Sequence, residues 1–195
     1  MKAGYVYDPI YLKHDTGQHP ENASRLEAII ARLEETGLKD LLIAIKPRLA
    51  TVEEVALVHQ DQHITHIQEM ARKGGGWLDL DTVMSADSYE VALYAAGGAI
   101  KAAEAVMDGE VNSAFALVRP PGHHATSSQA MGFCLFNNVA IATRCTIAKY
   151  DLNKVAIIDF DVHHGNGTQE AFYSDPRVLY VSTHEYPLYP GTGTV

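Results

Sequence analysis

The sequence lacks the features that mark a secreted, membrane-spanning or nucleic-acid-binding protein. It contains two cysteines, Cys134 and Cys145, in no CxxC pattern, so we expect reduced thiols and a cytoplasmic location. No apolar run reaches the roughly 18 residues of a membrane span, and no signal-peptide segment follows Met1. Basic residues number 15 against 24 acidic ones, and the resulting net charge of −9 argues against a direct nucleic-acid partner.

Alternating strand and helix patterns fill the chain. Hydrophobic residues make up 47% and charged residues 20% of the 195 positions, which suffices for one domain with a real core. Apolar periodicity and capping residues predict strands at 3–7, 113–118, 155–158 and 178–181, helices at 24–35, from 51, at 86–107 and 137–150, and a loop at 74–81. This alternation predicts an α/β fold, a parallel sheet with helices on both faces.

The segment VAIIDFDVHHGNGTQ carries the strongest chemical signal. Its apolar start is typical of a strand buried on both faces. If the chain stays extended, Asp159, Asp161 and His163 share one face at the carboxyl end of the strand, where ligands bind in open α/β sheets. Buried carboxylates need a partner, and Asp and His are good zinc ligands, so we predict a metal site beside which Gly165 and Gly167 turn the backbone. The alternative is a polar turn with solvated histidines.

A second loop, RPPGHHA, places two histidines next to each other. One of His123 and His124 can accept a proton near neutral pH, while the other carries charge or holds a hydrogen bond. Asp159 is available to orient one imidazole, and Asn166 is placed to bond the other. Ordinary solvated loop histidines are the alternative for the pair taken alone.

A third element combines Gly132 and Phe133 with Tyr189. Aromatic side chains from two loops at one sheet edge can wall a narrow slot, although plain packing is the default for each of them. A metal with an open position, a general base and a slot together predict a hydrolase of an amide or ester.

Three further histidines, His59, His63 and His66, have the spacing of one helical face. They could bind a metal, but no acid or cysteine is aimed at them. We therefore interpret them as a partly solvated polar face.

Together, these motifs resemble the zinc-dependent histone deacetylase family, including its bacterial acetylpolyamine amidohydrolase and acetoin-utilisation relatives. The matching segments are HDTGQHPENASRLEAI, LDLDTVMSADSYEVALYAAGGAI, RPPGHHA, AMGFCLFNN, IDFDVHHGNGTQEAFY and VSTHEYPLYPGTG. Asn166, where some eukaryotic members have Asp, is similar to the class II and bacterial pattern. The resemblance implies the arginase–deacetylase α/β fold, with residues 1–195 as the N-terminal part of a single deacetylase domain.

The resemblance also implies a role for each matching residue. His124 would be the general base with Asn166 near it, and His123 the second imidazole, paired with Asp159. The other roles are zinc binding by Asp161 and His163, potassium binding by Asp159, Asp161, the His163 carbonyl, Ser182 and the Thr183 carbonyl, tunnel lining by Gly132, Phe133 and Tyr189, and substrate binding at the rim by Asp81.

The chain departs from the family pattern in one respect. The family's third zinc ligand, an Asp, and its transition-state Tyr come from later loops, and neither motif is present here. Two protein ligands should bind zinc weakly, since a catalytic zinc normally has three. We also expect a fold that is incomplete at its C-terminus, with an open core face that favours homo-oligomerisation.

Two hypotheses of function therefore stand, and a third is weaker. The first is zinc-dependent hydrolysis of an N-acetyl amide on a lysine peptide or a polyamine. The second is a truncated, catalytically inactive module that binds an acetyl group or a partner. An arginase-like enzyme with a binuclear manganese site would need further Asp ligands that the sequence does not offer. The sequence leaves open whether the chain itself is an enzyme.

Overall fold

A computed structural model describes residues 2–194; Met1 and Val195, the two ends of the predicted domain, lie outside the described residues. The strands are β1 (Ala3–Val6), β2 (Ile43–Ile45), β3 (Gly75–Trp77), β4 (Val83–Ser85), β5 (Ser113–Ala116), β6 (Val155–Asp159) and β7 (Val178–Ser182). The helices are α1 (Ser24–Glu35), α2 (Val52–Val55), α3 (Asp61–Arg72), α4 (Ser88–Met107), α5 (Asn138–Tyr150) and α6 (Asn166–Phe172). Pro9–Lys13 and Lys39–Leu41 form short 3₁₀ helices.

The strands form parallel pairs separated by helical crossovers. One sheet has the order β2-β1-β5 and another pairs β6 with β7, all in parallel. These arrangements confirm the predicted α/β fold class. The predicted loop at 74–81 is wrong in part, because β3 and β4 form an antiparallel hairpin. Gly75 and Gly76 have positive φ, so the glycines that suggested a loop instead give the strand its unusual backbone.

Side-chain caps mark the start of two helices, α2 and α5. The Thr51 hydroxyl accepts the Glu54 N–H and the Glu54 carboxylate accepts the Thr51 N–H, which confirms the predicted capping box, although α2 is only four residues long. The Asn137 side chain likewise caps α5 by accepting the Ala140 N–H. Helix α4 contacts α5, β1 and β5 closely, and a Cβ at its Gly97 would overlap the Arg48 carbonyl. Gly97 therefore lets α4 pack closely against the backbone at Arg48.

The prediction that β6 is buried on both faces is wrong. Ile157 packs with Ala140, Ile147 and Phe172 in a core cluster under α5 and α6. Ile158 is 66% exposed, so the opposite face of the strand faces solvent. The reason is that a continuous apolar run is compatible both with a strand packed on two faces and with a strand packed on one face.

Exposed apolar side chains extend beyond β6. Phe115 on β5, Leu179 on β7 and Phe160, which is 84% exposed, are also solvent-facing. Exposed apolar patches mark sites of association in soluble proteins. Homo-oligomerisation through this face stays a prediction. Between residues 2 and 194, no helix is long and apolar enough to cross a bilayer.

His59 and His63 are buried rather than solvated, so that interpretation is wrong. His59 lies before α3; its Nδ1 donates to the Thr126 carbonyl, and its Nε2 accepts the Asn137 N–H at 2.9 Å. The His63 ring is 2.9 Å from the Leu135 carbonyl. Only His66 of the three is exposed. Both buried rings therefore bond backbone groups of the loops that lead to α5.

Acid should destabilise the fold through His59. Burial, with a smaller contribution from the neighbouring His63, lowers its pKa from 6.5 to about 3. Between these values the unfolded chain binds a proton that the folded chain does not. Above pH 6.5 the protonation of His59 does not reduce stability. As the pH falls from 6.5 toward 3, the free energy of unfolding decreases by about 1.4 kcal/mol per pH unit.

Urea unfolding at about pH 7, 6 and 5 tests this expectation. His59→Gln should reduce the pH dependence of the free energy of unfolding by about 1.4 kcal/mol per pH unit. His66→Gln, at an exposed site, should leave this pH dependence unchanged. Equal slopes in the two variants would contradict the assignment.

Candidate functional site

One open cavity of about 710 Å³ collects most of the predicted site residues. It is bounded by the loop after β5, the turn after β6, the rim of the β3–β4 hairpin and the loop after β7. The predicted residues that line it are Asp81, His123, His124, Gly132, Phe133, Asp159, Asp161, His163 and Tyr189. Asn166 lies behind His124, and the register of β6 and β7 places Ser182 beside Asp159. Segments distant in sequence therefore meet at one edge of the parallel strands.

The first pair joins His123 to Asp159. The Nδ1 atom of His123 donates to Oδ2 of Asp159 at 2.9 Å. Burial raises the pKa of Asp159, but the bond and charge of His123 outweigh it, and the net pKa is lowered. Tyr180 donates a second bond to the same oxygen at 3.2 Å. Asp159 is thus a carboxylate that fixes the orientation of the imidazole.

Gly165 allows this pair to form. A Cβ at this position would overlap Oδ2 of Asp159 and crowd the Tyr180 hydroxyl and Nδ1 of His123. Its φ of −76° is ordinary, so the requirement for glycine is one of space. The backbone passes so close to the carboxylate that no side chain fits.

The second pair joins His124 to Asn166. Nδ1 of His124 is 2.9 Å from Oδ1 of Asn166, and the Asn166 amide nitrogen faces the His124 carbonyl at 3.4 Å. Because an amide oxygen only accepts, Nδ1 carries the proton and Nε2 keeps a lone pair. Burial lowers the pKa of His124 to about 4, and the adjacent His123 adds to the shift. His124 is therefore a neutral imidazole at neutral pH.

Asp161 and His163 form an exposed pair of candidate metal ligands, the Asp161–His163 donor pair. Their side chains are 51% and 40% exposed, and Oδ1 of Asp161 lies 3.0 Å from Nδ1 of His163. Phe160 and Val162 point to solvent, and β6 has already ended at Asp159, so a turn rather than an extended strand brings the donors together.

A carboxylate oxygen and an imidazole nitrogen are both ligand types that zinc accepts. A tetrahedral zinc with bonds of about 2.0 Å separates two ligand atoms by about 3.3 Å. The observed separation needs only a small adjustment. In residues 2–194 no three His, Cys, Asp or Glu side chains form a metal-holding group, so the described chain offers two donors.

The predicted potassium ligands lie behind this pair. Ser182 is opposite Asp159 in the β6–β7 register, and the Thr183 N–H donates to the Asp159 carbonyl at 3.0 Å. The Ser182 hydroxyl bonds Nδ1 of His184 at 2.8 Å. The potassium site itself stays a prediction.

A slot leads to the two histidines. The Tyr189 ring stands edge-on to His124 at a centroid distance of 5.0 Å, and Phe133 stands opposite in the same cavity. Gly132 has a φ of 55°, and a Cβ there would overlap the His124 ring. Asp81 completes the rim, where burial and the neighbouring Asp79 raise its pKa.

Sequence reasoning missed two residues that hold the site. Tyr180 shares its single hydroxyl proton between Oδ2 of Asp159 at 3.2 Å and the Gly165 carbonyl at 3.1 Å. Thr82 bonds both Asp81 and the backbone of Phe133. Tyr180 lies outside the matching segments, just before VSTHEYPLYPGTG. Thr82 lies inside LDLDTVMSADSYEVALYAAGGAI, and its position next to Asp81 was the available signal.

A histidine pair, an Asp–His donor pair and an aromatic slot therefore meet at one strand edge of a parallel α/β fold. The chain matches the histone deacetylase domain over residues 19–195. It belongs to the histone deacetylase family and has the arginase–deacetylase fold.

Individual relatives agree with this assignment. The chain is 44% identical to a probable deacetylase of Archaeoglobus fulgidus and 42% identical to one of Methanothermobacter thermautotrophicus, over 99% and 97% of its length. It is 40% identical to human histone deacetylase 9 over 97% of its length and 22% of that protein. The crystal structure of the HDA15 HD domain superposes with a TM-score of 0.93 at 38% identity, over 98% of this chain and 58% of that one. The chain spans 54% and 57% of the two archaeal relatives.

Gly165→Ala should disrupt the His123–Asp159 pair. The added methyl overlaps the carboxylate, and overpacking of this kind costs about 1–3 kcal/mol. Histidine ring ¹⁵N shifts in the variant should show that His123 has lost its bond. Gly109→Ala is the control, since its positive φ strains any side chain while the space around it is open. Unchanged His123 shifts in Gly165→Ala would contradict this description.

Proposed function

We propose that the protein of which this chain is a part or the whole hydrolyses N-acetyl amides with the help of zinc. The substrate is an acetyl-lysine peptide or an acetylpolyamine, and one product is acetate. The observation that carries the proposal is His124, whose free Nε2 faces a cavity that also holds the Asp161–His163 donor pair.

His124 acts as the general base in this proposal. Its Nδ1 proton is held by Asn166, so Nε2 accepts the proton of the attacking water and then delivers it to the leaving amine. His123 lies with its ring centroid 4.0 Å away and is oriented by Asp159, so it supports the negative charge that develops on the carbonyl oxygen of the substrate. Asp161 and His163 would hold zinc, which supplies a Lewis acid for the carbonyl and lowers the pKa of water.

The slot binds the aliphatic chain of the substrate that carries the acetylated nitrogen. The rings of Phe133 and Tyr189 exclude water from an apolar linker, and Gly132 leaves room for it beside His124. Asp81 accepts an N–H of the substrate at the rim. A monovalent cation near Asp159 and Ser182 would balance the carboxylates behind the zinc.

A catalytically inactive binding module is the second candidate. The observation that favours it is the donor count, because two protein ligands hold zinc less firmly than three. Water or a group from another polypeptide segment would complete the coordination in the enzymatic alternative. The exposed Phe115, Ile158 and Leu179 give the binding module an apolar surface for a second copy or a partner.

His124→Ala separates base catalysis from metal binding. We expect acetate release from an acetyl-lysine peptide to fall by roughly 10²–10⁴-fold, the usual contribution of a general base. The zinc content should change little, because His124 is not one of the donor pair. His66→Ala, at an exposed histidine outside the cavity, should retain both properties. Wild-type rates in His124→Ala would overturn the assignment of the base.

The binding-module hypothesis makes a different prediction for the purified chain. It expects acetyl-lysine peptide to bind in calorimetry without any acetate release above the rate in buffer. It also expects self-association that weakens when Ile158 is replaced by Ser. Acetate release that depends on added zinc would exclude this hypothesis, and a monomer at all concentrations would exclude the homo-oligomer.

A further inference from the structure

Thr82 is a buried side chain that links two parts of the slot. It immediately precedes β4 and is 0% exposed. Its hydroxyl donates to Oδ1 of Asp81 at 3.1 Å and accepts the backbone N–H of Phe133 at 3.0 Å. The hydroxyl has one proton to donate, so these two bonds use it in a single defined orientation.

Both partners of Thr82 need to be held. Phe133 has a φ of 70°, a left-handed conformation that a non-glycine residue seldom adopts, and it follows Gly132 at 55°. Such a backbone persists only where its surroundings fix it. Without the Thr82 hydroxyl, the Phe133 N–H would lose its acceptor in a partly buried place, and such a loss is costly.

The hairpin turn supplies a firm base for this contact. Oδ1 of Asp79 accepts the N–H groups of Asp81 and Thr82 at 3.0 and 2.6 Å. The Leu78 N–H donates to the Thr82 carbonyl at 2.8 Å. The backbone of Thr82 is therefore fixed on both sides, and its hydroxyl reaches across to the loop that holds Phe133.

We propose that Thr82 is a positioning residue, whose hydroxyl couples the aromatic wall of the slot at Phe133 to the carboxylate at its rim, Asp81. The proposal rests on the proposed function for its meaning, because the wall and the rim are where the substrate would bind. In this proposal, the one hydroxyl of Thr82 fixes the position of the Phe133 ring relative to the Asp81 carboxylate.

The electrostatics of the rim agree with this geometry. Burial raises the pKa of Asp81, and Asp79 raises it further, whereas the Thr82 hydroxyl and the Gly132 N–H oppose the rise. Tyr189 also faces this carboxylate, and Asp81 contributes to the raised pKa of its phenol. Removal of the hydroxyl should therefore favour the protonated form of Asp81.

Thr82→Val and Thr82→Ser in the full 195-residue chain test the proposal. In Thr82→Val, the pKa of Asp81 followed by carboxyl ¹³C NMR should rise by about one unit, and the Phe133 amide resonance should move. Thr82→Ser keeps the hydroxyl and should restore both. Thr65→Val, at an exposed threonine of α3, is the matched control. Wild-type values in Thr82→Val would overturn the proposal.

A second measurement needs no variant. In the wild-type chain, the Phe133 amide should exchange slowly with solvent, because it donates to a buried hydroxyl. Rapid exchange of this amide would overturn the proposal even if Thr82→Val failed to fold.

The effect on the substrate is tested by calorimetry with an acetyl-lysine peptide in the presence of zinc. Thr82→Val should weaken binding by about tenfold, the effect of one hydrogen bond, and Thr82→Ser should recover it. If the wild type does not bind the peptide, the proposed function fails, while the titration of Asp81 still decides the role of Thr82. Equal affinity in wild type and Thr82→Val would overturn the coupling.

Discussion

The geometry of the cavity depends on the carboxylate of Asp159. This carboxylate accepts hydrogen bonds from the His123 ring and the Tyr180 hydroxyl. The backbone carbonyl of Asp159 accepts the Thr183 N–H. One side chain at the end of β6 therefore connects the loop after β5 with β7. Removing it would leave the His123 imidazole without its acceptor in a half-buried place, which costs more than the loss of the bond alone. The Tyr180 hydroxyl would keep the Gly165 carbonyl as its acceptor.

Close backbone approaches complete the arrangement around this carboxylate. A Cβ at Gly165 would overlap Asp159, one at Gly167 would overlap the Ala125 carbonyl, and one at Gly132 would overlap the His124 ring. The rings of the sequence neighbours His123 and His124 have centroids 4.0 Å apart, and the His163 ring lies 5.9 Å from that of His124. The packing around the cavity therefore requires glycine at positions 132, 165 and 167, because a side chain at any of them would overlap a neighbouring group.

Part of this arrangement was predictable from sequence, because it rests on local patterns. The alternation of acid and histidine after an apolar run predicted the Asp161–His163 pair, and adjacent histidines after a proline-rich turn predicted a second set of groups at the same edge. What sequence could not predict depends on distant contacts. Burial of His59 requires loop carbonyls more than 60 residues away, the open face of β6 requires knowledge of what packs on it, and Tyr180 and Thr82 act through partners that no local pattern identifies.

The most direct test of the central claim is an X-ray absorption spectrum of the chain with one equivalent of zinc. The claim is that Asp161 and His163 together form the protein's zinc-binding donor pair. It predicts a first shell of oxygen and nitrogen at about 2.0 Å with the scattering of one imidazole. Scattering from several imidazoles, or from sulfur at about 2.3 Å, would show that zinc binds elsewhere and would contradict the account.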